Sequence, residues 1–389
     1  MNRKKFLIFS CFYSFFCSGM VSMLIGSVLP DLLASRNLPV EQGGLLISCY
    51  SFGNLISGLI AGLIALKIGE KFSVILLILL TYAGIFLIGF EFNPIYLFLI
   101  CVLIGFGRGG CISFDTRTIN LITDGNTKIQ SILHSIFALG AISAPVIFVF
   151  LRNIFYWQAA LFAVVILGLI SALLSWVGLK DFETEKFTNA PDPHAKQFKS
   201  GNYKFLSEPG FFTVCALMFC YLCCEYAING WLVTYVQNKN MPSDFAQGMA
   251  ALLWGVMLIG RLICAYISEY VPRKIILFVL SVMALIFFIV MLFASGNFYT
   301  ALTVGILGLS MSGISPMIYA SAAPFSNKYP LAMGFIFSVG CFGAMLMPYL
   351  VGFTAGIYGF NGGMAMISGT FVLLVIFSFS NLFLLRKGE

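Results

Sequence analysis

The chain has 389 residues, of which 60% are hydrophobic and 10% charged, with 41 Phe, 38 Gly and a formal net charge of +7. Soluble domains carry about 25% charged residues, so this chain has too little polar surface to face water and is expected to be an all-α membrane protein. At about 20 residues per span, twelve helices and short loops use up the whole length, which excludes a separate soluble catalytic domain and argues against an enzyme.

The first apolar run, 6–28, is too long for the core of a signal peptide and eleven more runs follow it, so it is kept as a span. The others fall at 44–66, 72–91, 95–121, 129–151, 157–179, 210–236, 246–268, 273–294, 298–322, 329–353 and 363–385. With the N-terminus cytoplasmic, the outer loops hold only Arg36, Arg152 and Lys239, while sixteen Lys and Arg fall in inner loops and tails. Excess positive charge on the cytoplasmic side is the rule for membrane proteins, so both termini are placed inside, in the cytoplasmic (inner) membrane. The polar stretch 180–209, with Pro191, Pro193 and Pro209, reads as a cytoplasmic linker between six-helix bundles at 1–179 and 210–389. The eleven Cys all lie in apolar runs, which argues for packed thiols rather than a disulfide framework.

The halves match at an offset of 203 residues. Gly105 and Gly110 fall on Gly308 and Gly313, and Gly140, Ala141 and Pro145 fall on Gly343, Ala344 and Pro348. In the second run of each half, Phe52-Gly53 with Gly58 recurs as Trp254-Gly255 with Gly260, one residue out of step. A tandem six-helix duplication of this kind predicts two pseudo-symmetric bundles related by an axis along the membrane normal, with a solute site near the midplane. Small residues would let the helices pack at close backbone distance.

An ionisable group at membrane depth costs at least ~2.5–3.5 kcal/mol and normally faces the bundle interior. Six qualify: Arg108, Asp115, Arg117, His134, Glu225 and Arg261. Arg108 and Asp115 share a face of the fourth run, roughly 10 Å apart along its axis, and Arg117 points to another face. The fourth and fifth runs read as a hairpin folded near residue 125, which would bring His134 to Asp115. Glu225 sits in the middle of the seventh run with Asn229 and Trp231 beyond it, and an isolated carboxylate there needs a proton or a cation partner. Asp115, Glu225 and His134 are therefore candidates for proton coupling, each with a structural ion pair or hydrogen-bonded cluster as the alternative. Arg108 is a candidate solute contact, and Tyr50, Asn54, Asn120, Asn229, Trp254, Ser312 and Tyr319 are candidate cavity liners. Arg261, near Glu269 and Arg273, reads as a gating or packing cluster.

Two motif matches carry no chemistry in this setting. Gly105 to Gly110 fits the dinucleotide pattern, but that motif needs a preceding strand, and here it interrupts an apolar span. Cys220, Cys223 and Cys224 stand on an apolar run without a His, so no metal is expected. Neither a cofactor nor nucleic acid is expected. The partners are a small-molecule solute, protons and membrane lipid, and the chain is expected to act as a monomer.

Five segments resemble the major facilitator superfamily over the full length and, within it, the fucose permease-like group of sugar:proton symporters. They are Gly105-Phe106-Gly107 through Asp115-Thr116 to Asn120; Leu133-His134 through Phe137, Gly140-Ala141 and Pro145; Glu225 through Gly230-Trp231-Leu232 and Tyr235; Trp254-Gly255 through Gly260-Arg261; and Gly340, Gly343 and Pro348. The resemblance implies alternating access and uptake of a hexose or similar polyol with a proton, with Asp115 and Glu225 as the group's membrane acids. Leu66 stands where the family's loop motif has an acid, which Glu269 keeps in the second copy. Met23 and Gly26 replace the Asn and Asp that precede Leu-Pro in fucose-type chains, which argues against fucose itself. The chain thus reads as a secondary transporter of a small polar solute, sugar-like and either neutral or anionic, with proton symport. A proton-coupled exporter of amphipathic compounds such as drugs or siderophores is the alternative on the same fold, and a non-transporting sensor is the rival from another class.

Overall fold

A computed structural model describes residues 3–90, 93–123, 126–179, 203–208 and 210–384. The helices are α1 (Arg3–Ser35), α2 (Val40–Ile68), α3 (Glu70–Ile88), α4 (Pro94–Ile122), α5 (Thr127–Ile154) and α6 (Gln158–Gly178). After a 3-10 turn at Tyr203–Ser207 come α7 (Phe211–Asn238), α8 (Ser243–Ile267), α9 (Arg273–Phe293), α10 (Asn297–Ser312), α11 (Ile314–Lys328) and α12 (Pro330–Leu384). Among the described residues no strand occurs.

Ten of the described helices are long and apolar enough to cross a membrane, eleven when the bent pair Val40–Gly58 and Ile60–Ile68 counts as one. In that count α10 and α11 form a single span, Asn297–Phe325, while Ala332–Phe383 runs for 52 residues. Gly359 breaks α12 with φ 75°, which glycine adopts without a Cβ penalty. Dividing α12 there gives the twelve spans expected among the described residues. Large apolar side chains stand exposed on these helices, including Leu63, Ile166, Leu262 and Phe298. Such surface is compatible with lipid and not with water.

Local chemistry sets the helix starts. Asn93 accepts from the Ile95 N–H at 3.1 Å with Pro94 in the first turn, and Asn126 accepts from the Lys128 N–H at 3.0 Å. Pro39 and Pro242, in extended conformation, precede α2 and α8 at the same place in each half.

The chain divides into two compact units, residues 1–190 and 191–389. Most of the expected linker, 180–202 and Pro209, lies outside the described residues. Its described part joins the second unit: Phe205 is buried against Phe211 at a ring distance of 4.9 Å, and the Tyr329 hydroxyl donates to Glu208 Oε1 at 2.8 Å. In the first unit α1 packs against α4, α5 and α6, α2 against α4, and α3 against α4 and α6. The second unit repeats this internally: α7 packs on α12, α8 on α10, and α9 on α10 and α12.

The 203-residue offset extends from the glycines to their contact partners. A Cβ on Gly105 would lie 1.9 Å from Tyr50 O, and one on Gly308 would lie 2.8 Å from Leu253 O, 203 residues on. Gly140 faces Phe16 O at 1.9 Å, and Gly343 faces Phe219 O at 2.6 Å. Gly110 meets Leu77, and Gly313 meets Leu280. The out-of-step match does not hold in space. Gly53 lies against Val102 O at 2.0 Å whereas Gly255 has open space beside it. Likewise Gly58 is open, while Gly260 abuts Ser312. At the true register Gly260 corresponds to Ser57, so the small residue is kept and its identity changes.

All three cations that the sequence reading assigns to outer loops have structural partners. Arg152 donates to Asp31 at 3.0 Å, tying α5 to α1. Arg36 donates to the carbonyls of Ile88 and Phe90 at the end of α3. Lys239, again 203 residues on, donates to Met291 O, Leu292 O and Ala294 O at 3.0, 3.0 and 2.8 Å, at the end of α9. A cation at a helix C-terminus satisfies carbonyls that lack intrahelical partners and opposes the helix dipole. Partial burial holds the Lys239 ammonium below the ordinary lysine pKa, the desolvation cost of that position. These exceptions to the charge asymmetry are thus helix caps and an ion pair.

Candidate functional site

Each unit holds one cluster of ionisable and hydrogen-bonding side chains among apolar helices. In the first unit Arg108 is 4% exposed, and its Nε donates to Ser18 O at 3.1 Å. Its guanidinium lies 5.7 Å from the ring of Tyr50 and 5.5 Å from that of Phe137. The glycine run explains how so bulky a cation fits: Gly105 brings α4 against the α2 backbone, and Gly109 makes room for the Asn54 side chain. Arg108, Tyr50 and Asn54 are therefore brought together.

Asp115 is also 4% exposed and faces α1, within hydrogen-bonding reach of Ser14 and Cys11 and in the field of Glu70. Its Oδ2 is buried and makes no hydrogen bond among the described residues. α1 packs on both α4 and α5, which touch each other little, so the residues on those two helices meet α1. His134 is exposed, and its ring lies edge-on to Phe15 at 5.6 Å. Asn120 is exposed near the end of α4 and accepts from Gln130 Nε2 at 2.7 Å, so it stitches α4 to α5.

Sequence reasoning missed Glu70. It reads as a loop residue, yet it is only 8% exposed and its Oε1 accepts from Thr118 at 3.4 Å. The neighbouring Lys71, equally buried, sits 4.0 Å above the Trp176 ring. Leu66, in the position where the resemblance expects an acid, is 69% exposed. Gly69, with φ 82°, was the available signal: it turns the chain sharply enough to put Glu70 in the first turn of α3, where the helix dipole favours an acid.

In the second unit Trp254 Nε1 donates to Asn229 Oδ1 at 3.2 Å, and the Arg261 guanidinium lies 5.8 Å from the Trp254 ring. Tyr221 lies in the field of both Glu225 and Arg261, and Tyr319 in that of Glu225. Glu225, Asn229 and Arg261 are half-buried and Tyr319 is 38% exposed, so this cluster is more accessible than the first. Arg261 thus lies beside Trp254. Glu269 and Arg273 are exposed at the turn between α8 and α9, Glu269 about two helical turns beyond Arg261 because α8 continues to Ile267. Ser312 is fully buried; its hydroxyl donates to Leu309 O at 2.6 Å and its side chain fills the space beside Gly260, so it packs α10 on α8. Among the described residues no three His, Cys, Asp or Glu come together as metal ligands.

Two compact units of repeated helix order, with polar groups held inside apolar helices, define a multi-pass integral membrane transporter. The chain belongs to the Major Facilitator Superfamily, whose family model matches residues 11–323. A glucose/mannose transporter of Bacillus subtilis (strain 168) is 23% identical over 354 residues, spanning 87% of this chain and 86% of the relative. A hexuronate transporter of the same organism is 22% identical over 272 residues, 67% of this chain and 64% of the relative. Among solved structures, a bacterial homologue of the human lysosomal transporter Spinster, in an inward-facing and occupied conformation, gives a TM-score of 0.80 at 14% identity, over 100% of this chain and 98% of that one. A nucleoside transporter gives 0.71 at 14% identity, over 98% and 100%. At these identities the structural likeness shows the fold alone.

Proposed function

We propose that the chain imports a small polar, sugar-like solute across the cytoplasmic membrane by alternating access, together with a proton, with both termini cytoplasmic and the six-helix bundles 1–179 and 210–389 joined by the linker 180–209. The carrying observation is that each unit holds a carboxylate among apolar helices: Asp115 within reach of Ser14 and Cys11, and Glu225 beside Tyr221 and Tyr319. Burying such a group is costly unless it can exchange a proton or a partner, and a carrier that cycles between two states provides that exchange. The named solutes of the relatives, glucose/mannose and hexuronate, support a sugar-sized substrate. On this reading Asp115 and Glu225 carry the proton, and Asn229, Trp254, Tyr50 and Asn54 meet the solute.

The test uses right-side-out vesicles given an inward proton gradient and labelled glucose, mannose or glucuronate. Accumulation that collapses with the gradient is the expected result. Gradient-driven expulsion would instead support the exporter of amphipathic compounds, and flux blind to the gradient would remove proton coupling.

A further inference from the structure

Each unit holds an arginine beside aromatic rings, and the two are used differently. Arg108 is almost completely buried, donates through Nε to Ser18 O, and lies near two rings. Arg261 is half-buried and lies near one ring, that of Trp254; its buried Nε makes no hydrogen bond among the described residues. A buried N–H left without an acceptor costs free energy that an arriving acceptor returns. A guanidinium near a ring face can still present its planar fork of donors, whose geometry matches a carboxylate.

The surroundings suit a polyhydroxylated anion. Asn229 uses its carbonyl oxygen to accept from Trp254, which leaves its amide nitrogen available as a donor. The partly exposed Tyr319 offers a hydroxyl in the same cluster, in the field of Glu225. With the coupled proton on Glu225, Arg261 leaves the cluster around Tyr221 with one positive charge, which a single carboxylate neutralises and a dianion exceeds.

We propose that Arg261 is the anion anchor of a solute site on the C-terminal unit, and that its ligand is a sugar monocarboxylate of the hexuronate or aldonate type. Arg261 takes the carboxylate in its fork, while Asn229 and Tyr319 meet the hydroxyls. This inference rests on the reading of the chain as a sugar-like solute carrier and narrows it to acids.

The experiment measures ligand-induced thermal stabilisation of the purified full-length protein, followed by uptake into proteoliposomes. The probes are D-glucuronate, D-galacturonate and D-gluconate, with D-glucose and D-glucose 6-phosphate as neutral and dianionic controls. At least one acid is expected to stabilise the wild type at a concentration about tenfold lower than glucose or the phosphate requires, a factor equivalent to one lost ionic contact. Arg261→Gln is expected to remove that preference, and Arg261→Lys, which keeps the charge without the fork, to weaken acid binding about tenfold. Circular dichroism and gel filtration check that each variant is folded; if Arg261→Gln is not, Arg261→Lys and the wild-type preference decide. Glucose binding as tightly as the acids, or acid affinity unchanged in the folded Arg261 variants, overturns the anion anchor and leaves the sugar-carrier reading standing. If neither sugars nor sugar acids bind or are carried, both fall.

Discussion

In the N-terminal unit two helix pairs meet glycine to backbone from both sides. Gly53 and Gly105 face each other's helices across α2 and α4, and Gly19 and Gly140 do so across α1 and α5, each with a backbone oxygen at 1.9–2.1 Å from where a Cβ would stand. In the C-terminal unit only one partner of each pair survives: Gly308 and Gly343 remain, at 2.8 and 2.6 Å, while Val256 and Leu222 occupy the positions equivalent to Gly53 and Gly19. The polar clusters differ in the same sense, with Arg108 and Asp115 deeply buried and Glu225, Asn229 and Arg261 partly accessible. One duplicated plan has thus yielded a tightly packed first unit and a second unit whose looser backbone spacing accompanies accessible polar side chains. Close packing leaves little room to reorganise, so solute chemistry is expected to fall more heavily on the second unit.

The sharpest way to break that comparison is a pair of alanine substitutions. Gly105→Ala forces a methyl into the Tyr50 carbonyl and should cost about 3 kcal/mol or prevent assembly, at the upper end of overpacking effects. Gly308→Ala should cost about 1 kcal/mol, because 2.8 Å asks for a smaller shift. Equal losses of thermal stability in detergent would end the contrast. Removing the pseudo-symmetric caps comes next: Arg36→Ala and Lys239→Ala should each cost about 1 kcal/mol, the ordinary worth of a cation at a helix C-terminus. Unequal costs, read as shifts in melting temperature, would show that the two caps are not equivalent. Gly255→Ala is the smallest effect expected, within about 0.5 kcal/mol of wild type, since nothing lies within 4 Å of its added methyl. A large loss there would restore Gly255 as the counterpart of Gly53.

The spans and the repeat register were legible because they rest on features that sequence carries directly: apolar run length, and glycines or prolines whose spacing survives duplication. The second-helix match failed because it followed glycine identity, whereas packing needs only a small residue, and Ser57 serves in place of a glycine where Gly260 stands in the other half. The packing of α1 against both α4 and α5 was not legible, because sequence order does not say which helices are neighbours. Glu70 was hidden by its place in a short loop, where burial depends on a single backbone turn at Gly69. Arg261 looked close to Glu269 along the chain, but a continuing helix separates them and turns Arg261 toward Trp254.

The most direct test of proton coupling is Glu225→Gln in proteoliposomes loaded with the transported solute. The account predicts that the variant still exchanges labelled for unlabelled solute but no longer accumulates it when a proton gradient is imposed. Accumulation at the wild-type level, with the same dependence on the gradient, would contradict it.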